Sequence, residues 1–117
     1  MRRHFKSMKV LYRSIKYGCR NLFVYAPLIW RDRDWDNSFL LEMMEFKLRR
    51  MAGYIGRCHH DGAKRESFNI SKAAMLCRRM GSEDYNAMDC KKEDYLYNQD
   101  LELLGKIFRK HLRCWWD

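Results

Sequence analysis

The sequence predicts a small all-α protein, a single-domain bundle of about four helices. Its 117 residues correspond to one domain. Only six Gly and one Pro are too few for a loop-rich or all-β fold, and 47% hydrophobic residues are too many for a disordered chain. Four segments also repeat apolar residues every three or four positions, as amphipathic helices do.

The first predicted helix covers about residues 3–25. Its apolar stripe consists of Phe5, Met8, Tyr12, Ile15, Cys19 and Leu22. We expect this stripe to face the core, because a helix in a globular protein normally buries its apolar side. Basic residues follow one position later, about 100° around the helix. Pro27 disfavours the helical conformation at Ala26, so the helix should end near Tyr25.

A connector over residues 26–36 is expected to lead into the second helix, predicted over about residues 37–58. Asp36 or Asn37 can cap this helix, since a short polar side chain accepts a hydrogen bond from the free amides of the first turn.

The third helix is predicted over about residues 69–80, with Asn69 or Ser71 as its cap and Gly81 as its stop. The last helix should cover about residues 93–115. We expect the inward residues to be Ala73, Ala74, Cys77 and Met80 in the third helix, and Tyr97, Leu101, Leu104, Phe108 and Leu112 in the last.

Most of the net charge of +9 lies in the first 30 residues, which contain seven basic residues and no acidic one. The seven are Arg2, Arg3, Lys6, Lys9, Arg13, Lys16 and Arg20. Such a surface is typical of proteins that bind nucleic acid or an acidic partner, and nearby tyrosines could stack on bases. A solvated face that keeps a small protein soluble is the alternative interpretation.

A helix lying on a membrane surface is a third interpretation of the same residues, because the basic positions flank an apolar stripe. It is less favoured as long as the stripe is needed in the core. The longest apolar run, Leu22 to Trp30, is nine residues, well below the roughly 20 that cross a bilayer, so we expect no transmembrane segment. Five scattered cysteines are typical of reduced thiols in a cytosolic protein.

Three aspartates, Asp32, Asp34 and Asp36, alternate as the first ligands of a calcium-binding loop do. The match then fails, because the sixth position is Asn37 rather than Gly and the twelfth is Met43 rather than Glu. The favoured interpretation is that these aspartates cap the second helix and form ion pairs with neighbouring arginines. We therefore predict no metal and no cofactor.

The stretch of Cys58, His59 and His60 also contains side chains that bind zinc, but no second closely spaced pair accompanies it. No nucleophile motif supports a catalytic role for the histidines. We predict no catalytic residue. The enzyme alternative is a small metal-dependent nuclease or hydrolase that uses Asp32, Asp34 or the two histidines.

Four tryptophans lie in pairs, Trp30 and Trp35 in the connector and Trp115 and Trp116 at the C-terminus. We expect the connector pair to lock the connector to the bundle. The C-terminal pair is expected to close one end of the core, because large rings are seldom left in water. The alternative for these rings is an exposed anchor for a partner protein.

Residues 29–36, with their Asp-Arg-Asp-Trp-Asp motif, residues 46–51 and the final Trp-Trp-Asp resemble a family of small proteins of tailed bacteriophages. The resemblance covers most of the chain from Asn21 onward. It implies expression in the cytoplasm of an infected bacterium and a role in host takeover or counter-defence, such as inhibiting a nucleic-acid-guided nuclease. Because this family has no assigned activity, the resemblance implies no catalytic residue.

We therefore expect a non-enzymatic phage accessory protein. Its basic first helix is expected to bind nucleic acid, a host protein or a host nucleoprotein complex.

Overall fold

The structure, a computed structural model, describes residues 8–83, 85 and 89–115. Its helices are α1 (Met8–Trp30), α2 (Asn37–Ile55), α3 (Ala63–Ser82) and α4 (Cys90–His111), followed by a short 3-10 helix, η1 (Leu112–Cys114). None of the described residues lies in a β-strand. The all-α prediction with four helices is confirmed. Contacts divide the chain into two compact units, Met1–Asp34 and Trp35–Asp117.

The first unit contains α1, which continues past its predicted end. The helix includes Pro27 and ends at Trp30, five residues beyond Tyr25. The predicted connector over residues 26–36 is therefore wrong in its first half. A proline only disfavours the helical conformation at the preceding residue, here Ala26, and the helix tolerates it one turn from its end. Of the predicted range, residues 3–7 lie outside the described residues.

The apolar stripe of α1 does not form a core face. Met8, Tyr12, Ile15 and Leu22 are between 57% and 80% exposed, and Cys19 is exposed as well. The prediction that this stripe faces the core is wrong. The helical period correctly identifies an apolar side of the helix, but it contains no information about what covers that side.

In the second unit, the start of α2 is capped as predicted. The Asp36 carboxylate accepts a hydrogen bond from the Ser38 amide at 2.9 Å. The helix ends at Ile55, three residues before the predicted end. Gly56 closes it, with an amide that donates to the Ala52 carbonyl oxygen at 2.9 Å.

The start and the stop of α3 were both placed wrongly by the sequence pattern. The helix begins at Ala63, six residues before Asn69, and continues through Gly81. Residues 63–66 are Ala, Lys, Arg and Glu, which favour a helix, so the earlier turn forms without a side-chain cap. Gly62 precedes it with φ +83°, a conformation that glycine adopts without strain.

Helices α2 and α3 are antiparallel and pack closely. The Ser67 hydroxyl, near the start of α3, donates to the Ala52 carbonyl oxygen near the end of α2 at 2.8 Å. A side chain at Gly56 would come within 2.9 Å of the Ser67 hydroxyl oxygen, so this contact requires glycine. At the opposite end, a side chain at Gly81 would touch Leu41. The close approach of the two helices therefore depends on the missing side chain at the Gly56 end, whereas a Cβ at Gly81 would make an ordinary van der Waals contact.

The core of the second unit is centred on α3. All four predicted inward residues of this helix, Ala73, Ala74, Cys77 and Met80, are at most 1% exposed, which confirms that prediction. Residues of α2 and α4 complete the core cluster, among them Leu48, Ile55 and Leu104.

Helix α4 begins at Cys90 rather than at residue 93, with Asp89 as its cap. Its predicted inward face is correct at Leu104, which is buried, and at the half-buried Tyr97 and Phe108. The prediction is wrong for Leu101 and Leu112, which are about half exposed. The inward face is rotated toward a buried carboxylate, Asp100.

The C-terminal end of α4 lies beside the start of α3. The Trp115 indole nitrogen donates to a Glu66 carboxylate oxygen at 2.9 Å, and the Trp115 ring meets Phe108 edge to face, with ring centres 6.0 Å apart. Helix α4 is thus antiparallel to α3, as an up-and-down arrangement requires.

Candidate anion-binding face of the first helix

Four cations of α1 lie on one side of the helix. Lys9, Arg13, Lys16 and Arg20 follow one another at intervals of four, three and four residues. At about 100° per residue they occupy an arc of about 60°, which we name the cation arc. All four are exposed, and none forms an ion pair with another described residue. Since α1 has no acidic residue, its positive field is not neutralised within the helix.

Three of these cations share an open groove with two tyrosines and a methionine. Its lining residues are Met8, Lys9, Tyr12, Arg13, Lys16 and Tyr17. The two tyrosine rings are 69% and 52% exposed. Ammonium and guanidinium groups bind phosphate oxygens, and exposed aromatic rings stack on bases. The groove thus combines the two chemistries that recognise an unpaired nucleic acid strand.

An uninterrupted apolar surface lies directly beside the cation arc. Ten residues of α1 fall within about 120° of the helix circumference, none of them charged, and we name this set the apolar arc. It consists of Met8, Leu11, Tyr12, Ile15, Cys19, Leu22, Phe23, Ala26, Ile29 and Trp30. Every member is exposed.

Several predicted site residues lie outside the described residues. These are Arg2, Arg3, Lys6 and Trp116. Their predicted roles stay predictions.

The other three tryptophans differ from one another in exposure. Trp30 and Trp35 are 86% and 83% exposed, so the prediction that they lock the connector is wrong. Trp115 is 6% exposed and belongs to the core cluster, which confirms the structural interpretation for this member of the C-terminal pair. Among the described tryptophans, a partner-anchor role is left open for Trp30 and Trp35.

Neither the acidic motif nor the histidine motif forms a metal site within the described residues. Asp32, Asp34, His59 and His60 are all exposed, and Asp36 is used as the cap of α2. Within residues 8–83, 85 and 89–115, no group of three His, Cys, Asp or Glu side chains is close enough to hold a metal ion.

Cys77, one of the five cysteines, lies in the core of the second unit. Burial, together with the nearby Glu45 carboxylate, raises the pKa of this thiol to about 11. It therefore stays protonated and unreactive at neutral pH, because the thiolate is the form that binds metal and attacks electrophiles.

The sequence pattern missed a polar network between α3 and α4. The Asp100 carboxylate accepts hydrogen bonds from two nitrogens of the Arg79 guanidinium, Nε and Nη2. It accepts a third from the Tyr85 hydroxyl at 2.9 Å. Burial alone would raise the pKa of Asp100, but these hydrogen bonds outweigh it and hold the pKa below its ordinary value. Burial and the bond to Asp100 raise the pKa of Tyr85. Fully satisfied in this way, the carboxylate fixes α4 on α3.

A sequence signal for this network does exist. Asp100 lies three residues after Tyr97 and four before Leu104, which places it on the same helix face as both inward residues. A charged residue on an apolar face needs a partner of opposite charge. Apolar periodicity alone does not reveal such a residue, because the pattern consists only of apolar positions.

No helix in the described part of the chain is both long and apolar enough to cross a membrane. Comparison with protein families, curated proteins and solved structures gave no match. The phage resemblance therefore stays a prediction, and the candidate site depends on the geometry of α1.

Proposed function

We propose that this chain is a non-enzymatic nucleic-acid-binding protein whose cation arc contacts the phosphates of a single strand, free or held in a host nucleoprotein complex. The observation that supports the proposal is the groove in which Lys9, Arg13 and Lys16 lie beside Tyr12 and Tyr17. Cations alone would suit any polyanion. Exposed rings on either side of the cations favour an unpaired strand, whose bases are free to stack.

The spacing of the cations supports contact with a phosphate backbone. Lys9 and Arg20 are eleven residues apart, which on a helix is about 16 Å at 1.5 Å per residue. Four cations distributed over that length can follow several successive phosphates. Their side chains have no acidic partner among the described residues, so binding requires none of the described ion pairs to break.

The salt dependence of binding tests the role of the cations. If four phosphates are neutralised, the slope of log K against log salt for a single strand is about −2.8, a loss of roughly 50-fold in affinity between 50 and 200 mM salt. Fluorescence anisotropy with a labelled 20-nucleotide strand measures this slope. We expect the combined variant K9Q/R13Q/K16Q/R20Q to bring it close to zero.

A matched variant separates the cation arc from net charge. Lys64, Lys91, Lys92 and Lys110 are exposed lysines of the second unit, and changing all four to Gln removes the same charge. This variant should keep nearly the wild-type slope. Equal slopes in the two quadruple variants would show that binding depends on net charge and would refute a site on α1.

The tyrosines are tested independently of salt. Changing Tyr12 and Tyr17 to Leu should weaken binding by about 1–3 kcal/mol for each base that stacks, with the slope unchanged. A duplex of the same sequence should show little effect of these changes, because its bases are already stacked. An equal loss on single strand and duplex would contradict the stacking role.

A further inference from the structure

Nucleic acid binding involves only Met8 and Tyr12 of the apolar arc and leaves its other eight members without a ligand. We propose that α1 also binds the surface of an anionic lipid bilayer, lying along it with the apolar arc among the upper acyl chains and the cation arc at the lipid phosphates. This inference goes beyond the proposed function, since it concerns a second ligand and adds the apolar arc to the cation arc.

The width of the apolar arc favours lipid over another helix. A two-stranded coiled coil needs only a narrow seam of two positions in seven. The arc here covers about 120°, and its side next to the cation arc carries Phe23 and Trp30, which are 83% and 86% exposed. Helices that lie in a membrane interface have such a broad apolar side with large aromatic residues on it.

The charge of α1 decides between lipid and a second copy of the chain. Pairing two copies of α1 would bring together two helices that each have basic residues and no acidic one. Like charges oppose that pairing, whereas anionic headgroups attract the same cations. On such a surface the apolar arc contacts acyl chains while the cation arc contacts lipid phosphates, because the two arcs are adjacent on the helix.

The two proposed ligands use one set of cations. Lipid phosphates and nucleic acid phosphates would compete for Lys9, Arg13, Lys16 and Arg20. An anionic membrane is therefore expected to displace a bound single strand, whereas a zwitterionic one is not.

Vesicle binding by the full chain tests the inference. We expect the protein to sediment with vesicles of phosphatidylcholine containing 30% phosphatidylglycerol and not with phosphatidylcholine alone. Each cation near an anionic surface strengthens binding by about fivefold, so K9Q/R13Q/K16Q/R20Q should lose more than about 100-fold. Absence of binding to the anionic vesicles, or equal binding to both kinds, would overturn the proposal.

Trp30 reports whether the apolar arc enters the lipid. Its ring lies on the arc, so its emission should shift to shorter wavelength on binding. The shift should vanish in Trp30→Phe and persist in Trp35→Phe, a matched control because both rings are similarly exposed. A shift that persists in Trp30→Phe would place the insertion elsewhere and contradict the assignment.

Substitutions on the apolar arc separate this inference from the proposed function. Ile15→Ser with Leu22→Ser should weaken vesicle binding by at least about tenfold for each residue, and leave affinity for the single strand unchanged. Leu40→Ser with Leu101→Ser makes the same change at exposed leucines of the second unit and should have no effect.

The outcomes of these variants are distinguishable. If the wild-type chain binds the single strand but no vesicle, the lipid inference fails and the proposed function stands. If the chain binds vesicles but no single strand, the proposed function fails and the lipid inference stands. If Ile15→Ser with Leu22→Ser instead converts a dimer into a monomer in sedimentation experiments, the arc is a self-association surface and the lipid inference is refuted.

Discussion

Helices α1 and α3 have similar lengths, 23 and 20 residues, and both have an apolar side, yet they use it in opposite ways. Eight residues of α3 are buried, whereas in α1 Leu28 is the single buried position. The apolar residues of the two helices differ in size. Those of α3 include Ala73, Ala74 and Cys77, which let neighbouring helices approach, while those of the apolar arc of α1 are mostly large, and three of the ten are aromatic.

The difference shows what amphipathicity does and does not predict. A three-and-four period identifies the apolar side of a helix but not the medium that covers it. Small residues at the centre of that side favour a close helix neighbour. Large rings bordered by unpaired cations instead favour an external surface, such as a bilayer.

The largest expected difference in stability is between the same substitution, isoleucine to alanine, made in α3 and in α1. Ile70 in α3 is fully buried and Ile15 in α1 is 57% exposed. Ile70→Ala should lower the free energy of unfolding by about 3 kcal/mol, because it leaves a cavity in the core. Ile15→Ala should change it by less than about 0.5 kcal/mol. Urea denaturation followed by circular dichroism measures both.

Equal costs for the two isoleucine variants would contradict this comparison, since they would mean that α1 contributes to the same core as α3. An unchanged denaturant slope m in both variants is the necessary control. It shows that the midpoint reports stability rather than a change in the surface exposed on unfolding.

A second, smaller effect is expected at the contact between α3 and α4. Asp100→Asn removes the negative charge that Arg79 and Tyr85 surround. We expect a loss of about 2 kcal/mol, below the full cost of breaking a buried pair, because the Arg79 side chain is 44% exposed and can return to water. Glu102→Gln, which breaks an exposed pair with Lys106 on the same helix, should cost almost nothing.

The pH dependence of stability follows from the lowered pKa of Asp100. A carboxyl group whose folded pKa is depressed stabilises the protein fully above its unfolded pKa of about 3.9. This contribution is lost as the pH falls from there through the lower folded pKa. Asp100→Asn should therefore be less stable than the wild type at pH 7 and lose less stability than the wild type between pH 5 and pH 2.

Periodicity and capping rules were enough to predict the helices themselves. The four segments, the cap at Asp36 and the inward face of α3 all follow from local chemistry. Helix boundaries were predicted less accurately where they depended on a residue that disfavours a helix but does not exclude it. Pro27 and Gly81 disfavour a helix without forbidding it, and both lie inside one.

The candidate site could be predicted only in part, for a different reason. The cation arc is visible in the sequence because it depends on one helix alone. The exposure of the apolar stripe and the burial of Asp100 depend on which helices pack together, and local spacing does not determine that. A search for charged residues on apolar faces would have found Asp100, but no local pattern would have shown that the stripe of α1 stays exposed.

The smallest expected change in stability is at the start of α2, where the sequence passes from the first unit to the second. Asp36 accepts a hydrogen bond from the Ser38 amide and caps α2, whereas Asp34, two residues earlier, forms no such bond within the described residues. Asp36→Ala should lower the free energy of unfolding by about 1 kcal/mol, because it leaves an amide of the first turn unsatisfied. Asp34→Ala is the matched control and should be neutral. If both variants lost the same stability, the effect would come from charge near the helix start rather than from the cap, and raising the salt concentration would then remove it.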